Sequence, residues 1–106
     1  MQFRGGMNEL MRQAARMQRK IEQTKEQLKD TEVMASAVGE KVKATVTYGR
    51  KVVRIEIDPE FLQSEGTELA LDGACAAINS ALEQAEKALQ AEIEKLTGGV
   101  KLPGVV

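Results

Sequence analysis

Hydrophobic positions change texture three times along this chain. From Met7 to Leu28, apolar or small residues recur at Met7, Leu10, Met11, Ala14, Met17, Ile21 and Leu28, with Thr24 interrupting, in steps of three and four. That spacing lays one stripe along one side of a long helix. The helix is expected to begin near Met7 or Asn8, with Asn8 capping its first turn, and to run to about Asp30. Residues 1–6, glycine-bearing and without clear periodicity, read as a flexible lead-in.

After Thr31 the period becomes two. Glu32 to Val38 is a small-residue edge strand, with Gly39 and Glu40 as the turn. Lys41 to Tyr48 alternates, placing Val42, Ala44, Val46 and Tyr48 on one face and Lys41, Lys43, Thr45 and Thr47 on the other. Gly49-Arg50 makes a tight hairpin. Lys51 to Asp58 then alternates again, with Val53, Ile55 and Ile57 inward and Val52, Arg54, Glu56 and Asp58 outward. The product is a three-stranded antiparallel meander with one covered face.

Asp58-Pro59 ends the last strand, because proline lacks an amide hydrogen. Residues 60–66 read as a connecting loop in which Phe61 and Leu62 plug the core. A second helix starts around Thr67, taken as its N-cap, and carries Leu71, Cys75, Ile78, Leu82, Ala85, Leu89, Ile93 and Leu96 as its stripe. Ala74, Ala77, Ala81, Ala85 and Ala88 permit close approach of a neighbour. Gly98-Gly99 stops the helix, and residues 100–106 read as an extended tail. The fold class is therefore α+β, a long helix, a meander and a long helix in one domain over residues 1–106.

At about 1.5 Å per residue, helices of roughly 24 and 30 residues span about 35 and 45 Å, whereas three strands at about 4.8 Å apart are only about 14 Å wide. Both helices must overhang the sheet. Their stripes stay apolar to the ends, with Met7 and Leu10 at one extremity and Leu89, Ile93 and Leu96 at the other, and Met7, Leu10, Met17, Ile78, Leu82 and Leu89 are the candidate dimer and core stripe. A second copy of the chain is the simplest cover, so a homodimer is expected.

Composition narrows the chemistry. With no histidine and Cys75 the only cysteine, zinc sites, disulfides within the chain and triad nucleophiles are excluded, and no glycine-rich phosphate loop occurs. The chain is read as no enzyme, with no cofactor, metal or small-molecule substrate. Cys75 reads as a core residue rather than a reactive thiol. No apolar run approaches the roughly 18 residues a membrane span needs, and the expected setting is cytoplasmic.

Charge is polarised rather than large. The net charge is −1, but residues 1–31 hold seven Lys/Arg against four Asp/Glu, and residues 59–106 hold three against eight. Arg12, Arg16, Arg19 and Lys20 lie opposite the apolar stripe of the first helix, and no acidic residue occurs between Leu10 and Ile21. Solvated faces are often charged, yet four cations within nine residues can meet phosphates at successive turns, and arginine can clamp a phosphate with two hydrogen bonds.

Several segments resemble the YbaB/EbfC family of bacterial nucleoid-associated proteins. They are Gly5-Gly6-Met7 leading into Leu10-Met11-Arg12-Gln13-Ala14 and Met17-Gln18; Arg54-Ile55-Glu56-Ile57-Asp58-Pro59 with Leu62 after it; Ala76-Ala77-Ile78-Asn79-Ser80-Ala81; and Gly99-Val100-Lys101-Leu102-Pro103-Gly104. The resemblance implies a tweezer-like homodimer that binds double-stranded DNA, often with little sequence preference, and helps organise the nucleoid. Arg12, Arg16, Arg19 and Lys20 become the candidate DNA-binding residues. The second helix departs from that pattern, carrying Glu83, Glu86, Glu92 and Glu94. An alternative, favoured by the overall acidity, is a dimeric adaptor that binds another protein through its helices.

Overall fold

The computed structural model describes residues 2–98. Its elements follow in the order α1 (Gln2–Leu28), β1 (Glu32–Ala37), β2 (Val42–Thr47), β3 (Val52–Ile57), α2 (Pro59–Glu65) and α3 (Thr67–Thr97). The expected helix, antiparallel meander and helix are all present, in an α+β fold with strand order β1-β2-β3. The extended tail expected at residues 100–106 lies outside the described residues.

α3 is the spine. It packs on the sheet with its smallest side chains: Ala70, Ala74 and Ala77 meet Val42, Ala44 and Phe61, and farther along Ala81 and Ala85 meet Ala35 and Val46. Gly73 allows a close approach, since a β-carbon there would lie 3.0 Å from the Cγ2 atoms of both Val38 and Val42. Beyond the sheet α3 meets α1, where Ile21 and Ile93 are buried together and Met17, Leu89 and Leu96 pack around them. The overhang expected from helix length is real, and the molecule measures 75 × 19 × 18 Å.

Several side chains and boundaries differ from the sequence expectation. The sheet-facing row on α3 is the alanine row, not its larger neighbour one position along, so Leu71 and Cys75 are exposed while Ile78 and Leu82 are half-buried on the flank. Both rows have the same periodicity. Small side chains win because they let helix and sheet approach. Cys75 is thus not a core residue within one chain.

α1 starts at Gln2 rather than near Asn8, because glycines at a helix end cost only about 1 kcal/mol each and no proline intervenes. Residues 60–66 are not simply a loop: Asp58 accepts hydrogen bonds from the amides of Glu60 and Phe61 at 2.8 and 3.4 Å and nucleates α2, with Pro59 in its first turn. Phe61 plugs the core as expected, whereas Leu62 is exposed. α3 is preceded by Gly66 without a side-chain cap, so Thr67 is its first residue. At the other end Gly98 adopts φ 67°, the left-handed stop expected of it.

In the sheet, Val42, Ala44 and Val46 are fully buried, as their alternation requires. Thr45 and Thr47 on the opposite face are buried too, because β2 is central and the longer Met34 and Arg54 flank Thr45 across the sheet. Thr47 is also held locally, its hydroxyl accepting from the amide of Lys51 at 3.2 Å. A bulge disturbs β3: Thr45 pairs with Arg54 but Val46 pairs with Val52, leaving Val53 as the extra residue. Val52 therefore aligns with buried Val46 instead of lying on the outward set.

Candidate nucleic-acid interface

The candidate surface is the part of α1 that projects beyond the sheet. Ile21 fixes its rotation, because burying Ile21 against Ile93 turns the opposite side of the helix to solvent. Arg12, Arg16, Arg19 and Lys20 are all exposed, the three arginines on that side and Lys20, next to Ile21 in the chain, on its flank. Gln13, Arg16, Met17 and Lys20 also line one shallow, open groove along the helix.

The four cations are not equivalent. Glu9 reaches Arg12 at 3.9 Å and Arg16 at 3.5 Å, so one carboxylate serves two guanidinium groups one and two turns away. Arg19 and Lys20 have no ion pair among the described residues. Glu9 lies just outside the acid-free window from Leu10 to Ile21, which is why the sequence window alone did not reveal it as a partner.

Elsewhere most basic side chains are already engaged. Lys29 lies 2.6 Å from Glu26 and Lys95 2.7 Å from Glu92, and in each case the hydrogen bond and the charge of the glutamate raise the lysine pKa. Lys87 pairs with Glu83, Arg54 with Glu32 and Glu56, and Lys41 with Asp58. Arg50, at the tip of the β2–β3 hairpin with φ 68°, reaches Glu86 at 3.4 Å. The hairpin is tied to the end of α1 by the amides of Gly49 and Tyr48, which donate to the carbonyls of Lys29 and Thr31 at 2.9 Å. Gly49 suits this contact, because a β-carbon there would come within 3.0 Å of the Lys29 carbonyl oxygen.

The model of the YbaB/EbfC DNA-binding family matches residues 3–100. The chain belongs to that family. Among relatives, a nucleoid-associated protein of Clostridium kluyveri is 38% identical over 95% of this chain and 89% of its own, and one of Acetivibrio thermocellus is 39% identical over 97% and 92%. Among solved structures, an uncharacterized protein from Helicobacter pylori shares the fold at a TM-score of 0.65, with 20% identity over 84% of this chain and 94% of its own.

Within this YbaB/EbfC chain the residues expected to cover a stripe separate into three groups. Met17 and Leu89 pack inside the α1–α3 arm. Ile78 and Leu82 flank the core clusters under α3. Met7, Leu10 and Met11 are 61–68% exposed, beyond the end of that packing. A further exposed apolar surface departs from the sequence expectation: Val53 and Ile55, expected inward, are exposed beside Val52 on β3, as are Leu62, expected in the core, and Leu71, expected on the buried stripe. It arises because α3 crosses over β1 and β2, leaving β3 at the edge. Among the described residues no three His, Cys, Asp or Glu side chains are placed to hold a metal, and no helix is long and apolar enough to cross a membrane.

Proposed function

We propose that this protein is a nucleoid-associated DNA-binding protein that binds duplex DNA as a homodimer, mainly through backbone phosphates, and helps organise the nucleoid or modulate expression. The observation that carries this reading is the basic side of α1, solvent-facing on an arm that stands clear of the sheet. Membership of a DNA-binding family and the names of its relatives support the same partner. Arg12, Arg16, Arg19 and Lys20 are the proposed contacts, since guanidinium and ammonium groups along a helix neutralise phosphates without reading bases.

Dimerisation is supported by the uncovered apolar edge. Ile55 aligns with buried Ala44 and Val52 with buried Val46, so the strand presents core-type positions with only partial cover. Leu71, Ile78 and Leu82 run along the flank of α3. A second copy laid over this edge removes both the apolar surface and the unpaired strand edge, which is a pairing hazard when left open. The acidic α3 is kept out of the proposed DNA contact. Exposed Met7, Leu10 and Met11 at the arm tip favour the alternative, an adaptor that holds another protein.

The deciding experiment is equilibrium binding to several unrelated duplexes across a salt series. Two copies present up to eight of the proposed cations, and engagement of about half of them gives a slope of log K against log salt of about −3 to −5, at roughly −0.9 per phosphate. Comparable affinities for unrelated duplexes with that slope support the reading. Failure to bind any duplex at low salt, with retention of a protein partner, selects the adaptor.

A further inference from the structure

Glu9 carries an inference that rests on the DNA-binding reading and goes beyond it. We infer that Glu9 is an intramolecular stand-in for phosphate that holds Arg12 and Arg16 in reserve, so that Arg19 and Lys20 make the first contacts with DNA and Glu9 sets the affinity.

The geometry is asymmetric. One oxygen of Glu9 lies 3.5 Å from an Arg16 nitrogen and the other lies 3.9 Å from an Arg12 nitrogen, so both carboxylate oxygens are committed to the basic face. All three side chains are more than half exposed, so these pairs are weak and exchange readily. They are weak enough to be displaced, but a displaced carboxylate stays on the same helix within about one Debye length, roughly 10 Å at 0.1 M salt, of any phosphate that takes its place. Each phosphate recruited by Arg12 or Arg16 must therefore replace an existing partner and tolerate a like charge nearby. Arg19 and Lys20, without an ion pair among the described residues, incur neither cost.

Two contacts in each of two copies amount to about four phosphates, a salt slope of about −3 to −4; releasing Arg12 and Arg16 moves it toward about −6 to −7. The test is a salt series on the full-length wild type, Glu9→Gln, Arg19→Ala/Lys20→Ala, and the triple variant, using a random-sequence duplex as probe. Glu9→Gln is expected to bind about tenfold or more tightly at low salt, with the steeper slope. Arg19→Ala/Lys20→Ala is expected to lose most binding, and adding Glu9→Gln to recover much of it through Arg12 and Arg16. Circular dichroism melting of each variant checks that fold is retained. Binding by wild type and Glu9→Gln with equal affinity and slope overturns the inference while leaving the DNA reading intact. Binding by neither overturns both.

Discussion

Asp58 joins strand to helix through one carboxylate. Its pKa is lowered, first by the Glu60 amide and then by the Phe61 amide and Lys41, against an opposing effect of desolvation. A depressed folded pKa means that Asp58 stabilises the fold above its ordinary value of 3.8, and that this contribution is lost as pH falls below that value through the folded pKa. Asp58→Ala should lower the melting temperature at pH 7 by about 2–5 °C, and the difference from wild type should shrink progressively as pH falls below 3.8, by calorimetry. Gly73 is a second sensitive position: Gly73→Leu puts a branched side chain where Val38 and Val42 already crowd the backbone, and should cost about 1–3 kcal/mol in denaturant melts. Neither role was read from the residues alone. Asp58-Pro59-Glu60 contains the cap and the first-turn proline of a helix, but its proline also fits a strand end, and a seven-residue helix is too short to show a period. Gly73 matters only through a contact with a strand some thirty residues earlier.

At the scale of elements, the pattern of the chain specified type and order well and facing less well. Alternation in β2 and the stripe through Ile21 were legible because each has one apolar solution. α3 has two adjacent rows of equal period, one of alanines and one of larger residues, and choosing between them needs the helix–sheet distance. The β3 bulge was likewise invisible, since one extra residue is defined by its partner strand. The flank of α3 yields a sharp expectation. Ile78→Asp or Leu82→Asp places a charge on half-buried apolar surface at the core edge, and should unfold the protein or dissociate it, at a cost of several kcal/mol. Cys75→Ala, at an exposed position, should leave the melting temperature within about 1–2 °C of wild type.

For the whole molecule, charge separation and shape act together. A nearly neutral total hides a basic first third and an acidic last segment, and the fold places the basic stretch on the projecting part of an elongated body. Light scattering at micromolar concentration should give about twice the 11.6 kDa chain mass, and a stable monomer would contradict the reading of the β3 edge as an interface. The basic face itself was legible because four cations recur opposite an apolar stripe; its unequal pairing was not, because it depends on where the Glu9 side chain reaches. The most direct test of the central claim is DNA binding by a charge-reversal variant, Arg12→Glu/Arg16→Glu/Arg19→Glu, measured beside its melting temperature and mass. Phosphate binding by this face predicts affinity for unrelated duplexes reduced about equally, by roughly a hundredfold or more, with fold and dimer unchanged because these side chains face solvent. A variant that binds DNA as tightly as wild type would contradict it.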